Sequence, residues 1–312
     1  MVSRPASVSP GDLIAVVSPS GPSPEEHIRV GAARIATRYR VRLDERATQR
    51  RGFLAGADAD RAGSLIDALR DPEVRAVWCA RGGYGATRVL EQYGPVIEEA
   101  LRADPKPIIG FSDVTALHVL WDNAGVRSIH GPMVARIGAP EAIHDAVLAS
   151  AFDAIEGRTR SMRADRFWVR SGFEGRAAGG NLAVLAALAG TSHAPQFKDR
   201  VVFLEDVGER PYRVDRMLTQ LRAANHLAGA AGFVLGDFLD CAPGPDQTTV
   251  EEVLLEGLRA IGAPVLVGAP FGHGERCASF ELGAPVRVHD DGSIEWLSEA
   301  TATPDANRRE RT

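Results

Sequence analysis

The chain has 312 residues, 45% hydrophobic and 25% charged, which is the composition of an ordinary globular protein. That length usually corresponds to two domains, each able to bury its own core. The formal net charge of −5 provides no basic surface for phosphates, so nucleic acid is not an expected partner. Only Lys106 and Lys198 are lysines, so mechanisms that depend on a lysine have few candidates.

Three cysteines, Cys79, Cys241 and Cys277, are far apart and form no C-x-x-C pair. Their spacing argues against a zinc site and a disulfide framework and favours a reducing compartment. The longest apolar run near the N-terminus, LIAVVS, is too short for a signal-peptide core, and no stretch is long enough to span a bilayer. We therefore expect a cytoplasmic protein that does not associate with a membrane. We also expect it to bind no metal and no other cofactor.

Short apolar runs alternate with helical patterns through the first half: DLIAVVSPS, SPEEHIRVGAARIATRY, VRAVWCA, ATRVLEQY, KPIIGF and DVTALHVLWDNAG. This alternation predicts a parallel sheet covered by helices. At the first helix, Ser23 is the predicted cap, Pro24 takes the first helical position and Glu26 completes the capping signature.

Between residues 157 and 176 the sequence loses its periodicity and gathers Arg and Gly, which is typical of a linker. Apolar runs and helical patterns then resume, and Asp291-Gly292 predicts a hairpin turn near the end. The last dozen residues are polar and Arg-rich, as in a flexible tail. The predicted division into N-terminal domain, linker, C-terminal domain and tail is 1–160, 161–176, 177–300 and 301–312.

The stretch KPIIGFSDVTAL places Ser112 and Asp113 where a predicted strand meets a predicted helix. One interpretation is that either residue simply caps a helix beginning at Val114. The other is functional, because open α/β sheets place ligands at the carboxyl ends of strands, beside helix N-termini that stabilise an oxyanion. The predicted position of this serine, on a turn between a strand and a helix, is that of a nucleophile elbow, although GFSDV lacks the trailing glycine of G-x-S-x-G.

A serine nucleophile needs a general base, and the base needs an acceptor that orients it. In the second half, VVFLED ends with Glu205 and Asp206, and PVLVGAPFGHGE carries His273 between two glycines. Singly, Glu205 is also a plausible helix cap and His273 a plausible solvated loop residue. The order Ser, acid, His at three strand ends favours a catalytic set, with His130 of SIHGPM as the competing base.

A Gly-rich turn, CARGGYGATR, separates another predicted strand from a predicted helix. It does not match G-x-G-x-x-G, so it does not predict a dinucleotide site. Glycine backbone lets N–H groups approach a substrate oxygen closely. The N–H groups of Gly83 and Asp113 are therefore a candidate oxyanion hole.

In order and approximate spacing, RGGYGATRVL, KPIIGFSDVTALH, HGPM, GGNLAVLAALAGT, LEDVGERPYRVDRMLTQL and GHG resemble the LD-carboxypeptidase family. That family includes the murein tetrapeptide carboxypeptidases and the microcin C resistance proteins, and the resemblance covers nearly the whole chain. It implies an α/β protein with an N-terminal flavodoxin-like domain and a C-terminal β-rich domain of swivelling type. It also implies a homodimer and a cytoplasmic serine peptidase without a metal.

Carried over residue by residue, the resemblance implies Ser112 as nucleophile, Glu205 as triad acid and His273 as triad base. The implied reaction removes the terminal D-alanine from murein tetrapeptides through an acyl-enzyme. Two alternatives remain open. One is an amidase of peptidyl or aminoacyl nucleotides, for which Phe167 or Trp168 could stack on a base; the other is a non-catalytic binding module on the same fold.

The resemblance also places the two oxyanion donors. One is the backbone of Asp113, and the other lies on the Gly-rich turn, at Gly82 or Gly83. An exopeptidase must in addition bind a terminal carboxylate, for which arginine is the natural forked donor. Arg81, which precedes these glycines, is the candidate for that role.

Overall fold

The computed structural model describes residue 5 and residues 7–140, 143–169 and 172–297. The predicted tail over 301–312 lies outside these residues. Every helix in the described ranges is too short or too polar to serve as a membrane span.

The first half alternates strands and helices as predicted. Its elements are β1 (Leu13–Val17), α1 (Glu25–Ile35), β2 (Arg40–Leu43), α2 (Asp58–Arg70), β3 (Val74–Cys79), α3 (Ala86–Ala103), β4 (Ile108–Gly110), α4 (Thr115–Asn123), β5 (Ser128–His130), α5 (Val134–Ile137) and α6 (Asp145–Ile155). Strands β1 and β4 are buried along their whole length, as expected where helices cover both faces of a sheet.

With β12 spanning Phe280–Leu282, the first sheet has the strand order β12-β5-β4-β3-β1-β2. Strands β1 to β5 pair in parallel in the order 2-1-3-4-5, which is the flavodoxin-like order that the resemblance implied. The sixth strand, β12 (Phe280–Leu282), comes from the second half of the chain and pairs antiparallel with β5. The second half therefore contributes an edge to the first sheet.

The second half forms an eight-stranded sheet with three helices. Its elements are β6 (Met162–Arg163), β7 (Arg166–Val169), β8 (Phe173–Asn181), α7 (Leu182–Leu188), β9 (Arg200–Val207), α8 (Pro211–Ala223), β10 (Gly232–Leu239), α9 (Val250–Arg259), β11 (Val265–Val267), β13 (Pro285–Val288) and β14 (Ser293–Trp296). The strand order is β6-β14-β13-β8-β9-β10-β11-β7. Strands β8 to β11 are parallel and the flanking pairs are antiparallel.

The segment predicted as a linker, 161–176, contains β6, β7 and the first residues of β8. The second sheet thus begins at Met162, ahead of the predicted domain start. Strands β6 and β7 lie at the two edges of this sheet, where charged side chains are favoured over an alternating apolar pattern. Their arginines form ion pairs at the surface, Arg163 with Asp291 and Arg166 with Glu251, which explains the linker-like composition.

Two local predictions have different outcomes. The hairpin turn at Asp291-Gly292 is confirmed, because these residues connect β13 with its antiparallel partner β14. The cap at Ser23 is wrong, since α1 begins at Glu25 with Pro24 in the cap position and no side-chain capping bond. Pro24 has extended backbone, so the chain enters the helix one residue later than its sequence signature indicates.

Candidate active site

Ser112 lies on the turn that joins β4 to α4, at the carboxyl end of a central strand. A short 3₁₀ helix spans Ser112–Val114, and α4 follows from Thr115. The φ angle of Ser112 is 60°, a left-handed conformation that costs a residue with a side chain about 1–2 kcal/mol. Strained strand–turn–helix geometry of this kind is the geometry of a nucleophile elbow.

Asp113 does not cap the helix that follows it. Its carboxylate accepts a hydrogen bond from the N–H of Ala86, the first residue of α3, at 2.9 Å. Asp113 is buried, and burial raises the pKa of its carboxyl group. The capping interpretation of the Ser112–Asp113 joint is therefore wrong for α4, because Asp113 instead caps the helix that starts at the Gly-rich turn.

The predicted acid and base are in direct contact. Glu205, near the end of β9, is fully buried, and its Oε2 lies 2.6 Å from Nδ1 of His273 in the loop after β11. The side chain of His273 remains 18% exposed. When Nδ1–H donates to Glu205, Nε2 is left as the basic nitrogen of the ring.

Phe111 brings the two halves of the site together. It immediately precedes Ser112, and its ring packs edge-on against the imidazole of His273, with ring centroids 4.7 Å apart. The structure thus places the predicted base next to the turn of Ser112, although the hydrogen bonds of the described residues include none between Ser112 and His273. Such bonds are commonly long or unformed without substrate.

The Gly-rich turn approaches Ser112 closely. A Cβ added to Gly82 would lie 3.1 Å from Cβ and 3.2 Å from Oγ of Ser112, so only glycine fits there without displacement. The Gly82 carbonyl accepts the N–H of Gly21 at 2.9 Å. Because the carbonyl and the next N–H of a trans peptide point in opposite directions, the Gly83 N–H points away from Gly21. Within the described residues, that N–H donates to no backbone carbonyl.

Arg81 is exposed beside the same turn. Its Nη1 donates to the Pro22 carbonyl at 2.7 Å, which holds the side chain against the loop after β1. The other guanidinium donors of Arg81 make no hydrogen bond within the described ranges. The side chain therefore retains donors for a ligand at this rim.

Sequence profiles settle the family. Residues 14–131 match the LD-carboxypeptidase N-terminal domain, and residues 174–288 match the LD-carboxypeptidase C-terminal domain. The chain belongs to the LD-carboxypeptidase family. It is a serine carboxypeptidase, the enzyme class that the resemblance implied.

Two curated relatives and two solved structures illustrate this membership. A probable murein peptide carboxypeptidase of Bacillus subtilis is 31% identical over 92% of this chain and 91% of its own. The murein tetrapeptide carboxypeptidase of Pseudomonas aeruginosa is 32% identical over 78% and 81%. The muramoyltetrapeptide carboxypeptidase of Oxalobacter formigenes is 26% identical, with a TM-score of 0.78 over 92% and 100%. The microcin C7 self immunity protein MccF, bound to aspartyl sulfamoyl adenosine, has a TM-score of 0.82 over 95% and 99%; at 20% identity it shows the fold alone.

His130, the competing base, is completely buried. Its ring stacks on Phe280 with centroids 4.9 Å apart and meets Phe271 edge-on at 5.5 Å. Burial lowers its pKa well below the ordinary value, so the ring stays neutral. In this LD-carboxypeptidase, His130 forms part of the aromatic wall behind Phe111 and is not accessible as a base.

Phe167 and Trp168 lie on β7, the edge strand of the second sheet beside β11. The indole N–H of Trp168 donates to Glu251 at 3.2 Å. The aromatic pair singled out for nucleotide stacking is therefore engaged with its own sheet and with α9.

Asp206, next to the predicted triad acid Glu205, organises the junction between the two sheets. Its carboxylate accepts from Asn181 Nδ2 at 3.1 Å and from the Ala183 N–H at 2.9 Å, while the Asn181 N–H donates to Oγ1 of Thr115 at 2.9 Å. Burial, together with the charge of Glu205, raises the pKa of Asp206 to about 6. This network joins the acid-bearing strand to the first residue of α4.

Two residues that hold the His273 loop were missed from the sequence. Arg136 donates to the carbonyl oxygens of His273 at 3.0 Å and Gly274 at 2.5 Å, and Asp237 accepts the Gly274 N–H at 2.9 Å. The available signal for Arg136 was its position just after the HGPM motif. Within the described ranges, no group of three or more His, Cys, Asp or Glu side chains is arranged to hold a metal ion.

Proposed function

We propose that this serine carboxypeptidase removes the terminal D-alanine from murein-derived tetrapeptides, cutting the amide that follows the L-centre of a diamino acid. The observation that carries the proposal is the contact between buried Glu205 and the partly exposed His273, beside the strained turn of Ser112. The murein peptide carboxypeptidases among the relatives support this choice of substrate.

In the proposed mechanism, Nε2 of His273 takes the proton of the Ser112 hydroxyl while Ser112 Oγ attacks the scissile carbonyl carbon. The C–N bond breaks as the imidazolium returns the proton to the leaving D-alanine amine. Water, deprotonated by the same imidazole, then hydrolyses the ester to Ser112. Glu205 holds the imidazole tautomer and stabilises the imidazolium throughout.

The developing oxyanion needs two fixed donors about 2.7–3.1 Å away. We assign the N–H of Asp113, in the first turn of the 3₁₀ helix where N–H groups have no partner within the helix, and the N–H of Gly83. The assignment of Gly83 over Gly82 is supported by the peptide orientation that the Gly82 carbonyl fixes against Gly21. Gly82 itself provides the clearance beside Ser112.

We propose that Arg81 binds the terminal carboxylate of the substrate. Its guanidinium lies beside the Gly-rich turn, and within the described ranges only its Nη1 makes a hydrogen bond. A clamp at this point fixes the scissile bond one residue from the peptide end. Losing a charge-assisted hydrogen bond of this kind costs about 1.5–3 kcal/mol, or roughly tenfold to over a hundredfold in kcat/KM.

The test compares kcat/KM on one preparation for a murein tetrapeptide, its C-terminally amidated form, the pentapeptide and an aminoacyl sulfamoyl nucleoside. We expect the free tetrapeptide to be the best substrate by that factor. The Arg81→Gln variant should lose most of the preference for a free carboxylate. Equal rates on free and amidated peptides would refute the clamp. A nucleoside conjugate preferred by a large margin would favour the nucleotide amidase.

We further propose that the enzyme is a cytoplasmic homodimer with a part in peptidoglycan recycling. The three cysteines, Cys79, Cys241 and Cys277, are free thiols, as expected in a reducing compartment. Analytical ultracentrifugation tests the dimer, and fractionation of cells that express the protein tests the location. A monomer at micromolar concentration, or activity found outside the cytoplasm, would contradict the respective proposal.

A further inference from the structure

Three side chains anchor the His273–Gly274 segment by hydrogen bonds. Glu205 accepts from the imidazole, and Asp237 of β10 accepts the Gly274 N–H; both belong to the same sheet as β11, which precedes the loop. The third anchor, Arg136, comes from α5 in the other half of the chain and donates to the carbonyl oxygens of His273 and Gly274. Among these three anchors, Arg136 is the one that comes from the domain of the nucleophile.

The backbone under Arg136 is itself firmly placed. The N–H of Ala135 donates at 2.9 Å to the carbonyl of Ala80, at the end of the strand that leads into the Gly-rich turn. Helix α5 also packs directly on α1, where a Cβ on Gly31 would clash with the carbonyl of Val134. Arg136 therefore projects from a short helix that is fixed against both the first sheet and α1.

The Arg136 side chain also reaches the nucleophile turn. Its guanidinium carbon lies 5.4 Å from the ring centroid of Phe111, within the range of a cation–π contact. Phe111 precedes Ser112 and packs on His273. One side chain therefore contacts the residue before the nucleophile and the backbone of the base.

We propose that Arg136 is a positioning residue that holds His273 at the distance from Ser112 that proton transfer requires. The inference rests on the proposed roles of Ser112 and His273. Nucleophile and base stand on different domains, so their separation depends on contacts that cross between them. A displacement of about 1 Å costs on the order of a hundredfold in rate, whereas substrate contacts elsewhere are unaffected.

Lysine replaces this arginine only in part. One ammonium group can donate to the two carbonyl oxygens, but it lacks the planar face that stacks on Phe111. Arg136→Lys should therefore react at an intermediate rate, and Arg136→Met should show the full loss of rate.

The experiment measures kcat and KM for the tetrapeptide, the rate at which a fluorophosphonate labels Ser112, and the thermal unfolding temperature. Arg200→Met is the matched control, because Arg200 Nη2 also bridges the two domains, to Asp122 Oδ2 at 3.1 Å, but does not contact the His273 loop. For Arg136→Met we expect roughly a 10- to 100-fold loss of kcat and a similar loss of labelling rate, with KM little changed. Arg136→Lys should be intermediate, and added guanidinium should restore part of the rate of Arg136→Ala.

Several results would overturn the inference. One is Arg136→Met labelling and turning over like the wild type, even with a lower unfolding temperature. Another is an equal kcat loss in Arg200→Met, which would indicate general loosening of the domain interface. If Arg136→Met does not fold, Arg136→Lys decides, and a lysine variant with wild-type labelling refutes the inference. If fluorophosphonate does not label Ser112 in the wild type, the proposed function is refuted. The inference about Arg136, which rests on it, is then refuted as well.

Discussion

The turn at Ser112 and the loop at His273 are built in different ways. Ser112 takes its position from its neighbours in sequence: β4 before it, a 3₁₀ turn through it and α4 after it. His273 takes its position from residues far along the chain. Its ring is held by Glu205, 68 residues earlier, and its carbonyl by Arg136, 137 residues earlier.

This difference separates two requirements of the reaction. The proposed nucleophile, Ser112, is presented by local backbone geometry, which folds with the first sheet. The proposed base, His273, can act only when the second sheet is correctly docked, because Phe111 and Arg136 contact it from the first domain. Substitutions at the Ser112 turn should therefore change the chemical step or the local backbone strain. Substitutions around the His273 loop should instead change the position of the imidazole relative to Ser112.

The largest effect is expected for Ser112→Ala, which removes the nucleophile and leaves the turn in place. We expect kcat for D-alanine release to fall by roughly 10⁴-fold or more, with an unchanged far-UV circular dichroism spectrum. The fold should persist because the Asp113 carboxylate continues to cap α3. Activity comparable to the wild type would eliminate the triad and leave the binding-module alternative to be tested.

Glu205→Gln should have the next largest effect. The variant keeps the shape of the side chain but removes the charge that orients and stabilises the imidazolium, so kcat should fall by roughly 10²–10⁴-fold. Glu209→Gln is the control, since Glu209 lies shortly after the same strand and its carboxylate pairs, within the described ranges, only with Arg213 at 3.5 Å. Equal activity of the two variants would show that the Glu205–His273 contact is structural.

The same contrast explains what the sequence could predict. Alternating apolar runs and helical patterns predicted the first sheet, and strand-end positions drew attention to Ser112, Glu205 and His273. These signals are local, as is the Asp291-Gly292 turn. The actual partner of Asp113 was not predictable in this way, because the start of α3 meets its carboxylate only when β3 and β4 pair.

The predictions that failed or were missing concern contacts between distant segments. Strand β12 has three residues, too few for any periodicity, and its pairing with β5 depends on docking of the two halves. The edge strands at Met162–Arg163 and Arg166–Val169 resemble a linker in composition because their arginines face acidic partners at the surface. Arg136 has no local pattern that indicates its contact with His273.

Acid should lower the stability of the first domain, which contains the buried residues His118 and His130. Burial lowers the pKa of His118 to about 4, and that of His130 also falls, while unfolded histidine titrates near a pKa of about 6.5. Between those values the unfolded state binds more protons, so the unfolding free energy should fall as pH falls from about 6.5 toward 4, by up to about 1.4 kcal/mol per pH unit for each group. Asp206, whose pKa is raised to about 6, acts in the opposite direction below that pH.

Urea denaturation of the wild type and His118→Asn at several pH values between 4 and 7 isolates one of these contributions. The ring of His118 bonds Ser128 Oγ at 2.9 Å and the Gly110 carbonyl, two residues before the nucleophile, at 3.0 Å. The variant is expected to be less stable overall, but its stability should depend less steeply on pH. Parallel pH dependences would show that His118 does not remain neutral in the folded state.

The smallest effect tests whether the turn stores strain. At a φ of 60°, alanine pays the same backbone cost as serine, whereas glycine does not. Both Ser112→Ala and Ser112→Gly lack the hydroxyl group, so their difference in unfolding free energy reports mainly the backbone. We expect Ser112→Gly to be more stable than Ser112→Ala by about 1 kcal/mol in urea denaturation. Ala33→Gly on the exposed face of α1 should change stability by about the same amount in the opposite direction. If glycine is no better than alanine at position 112, the turn is not strained, and local geometry alone does not account for how the nucleophile is presented.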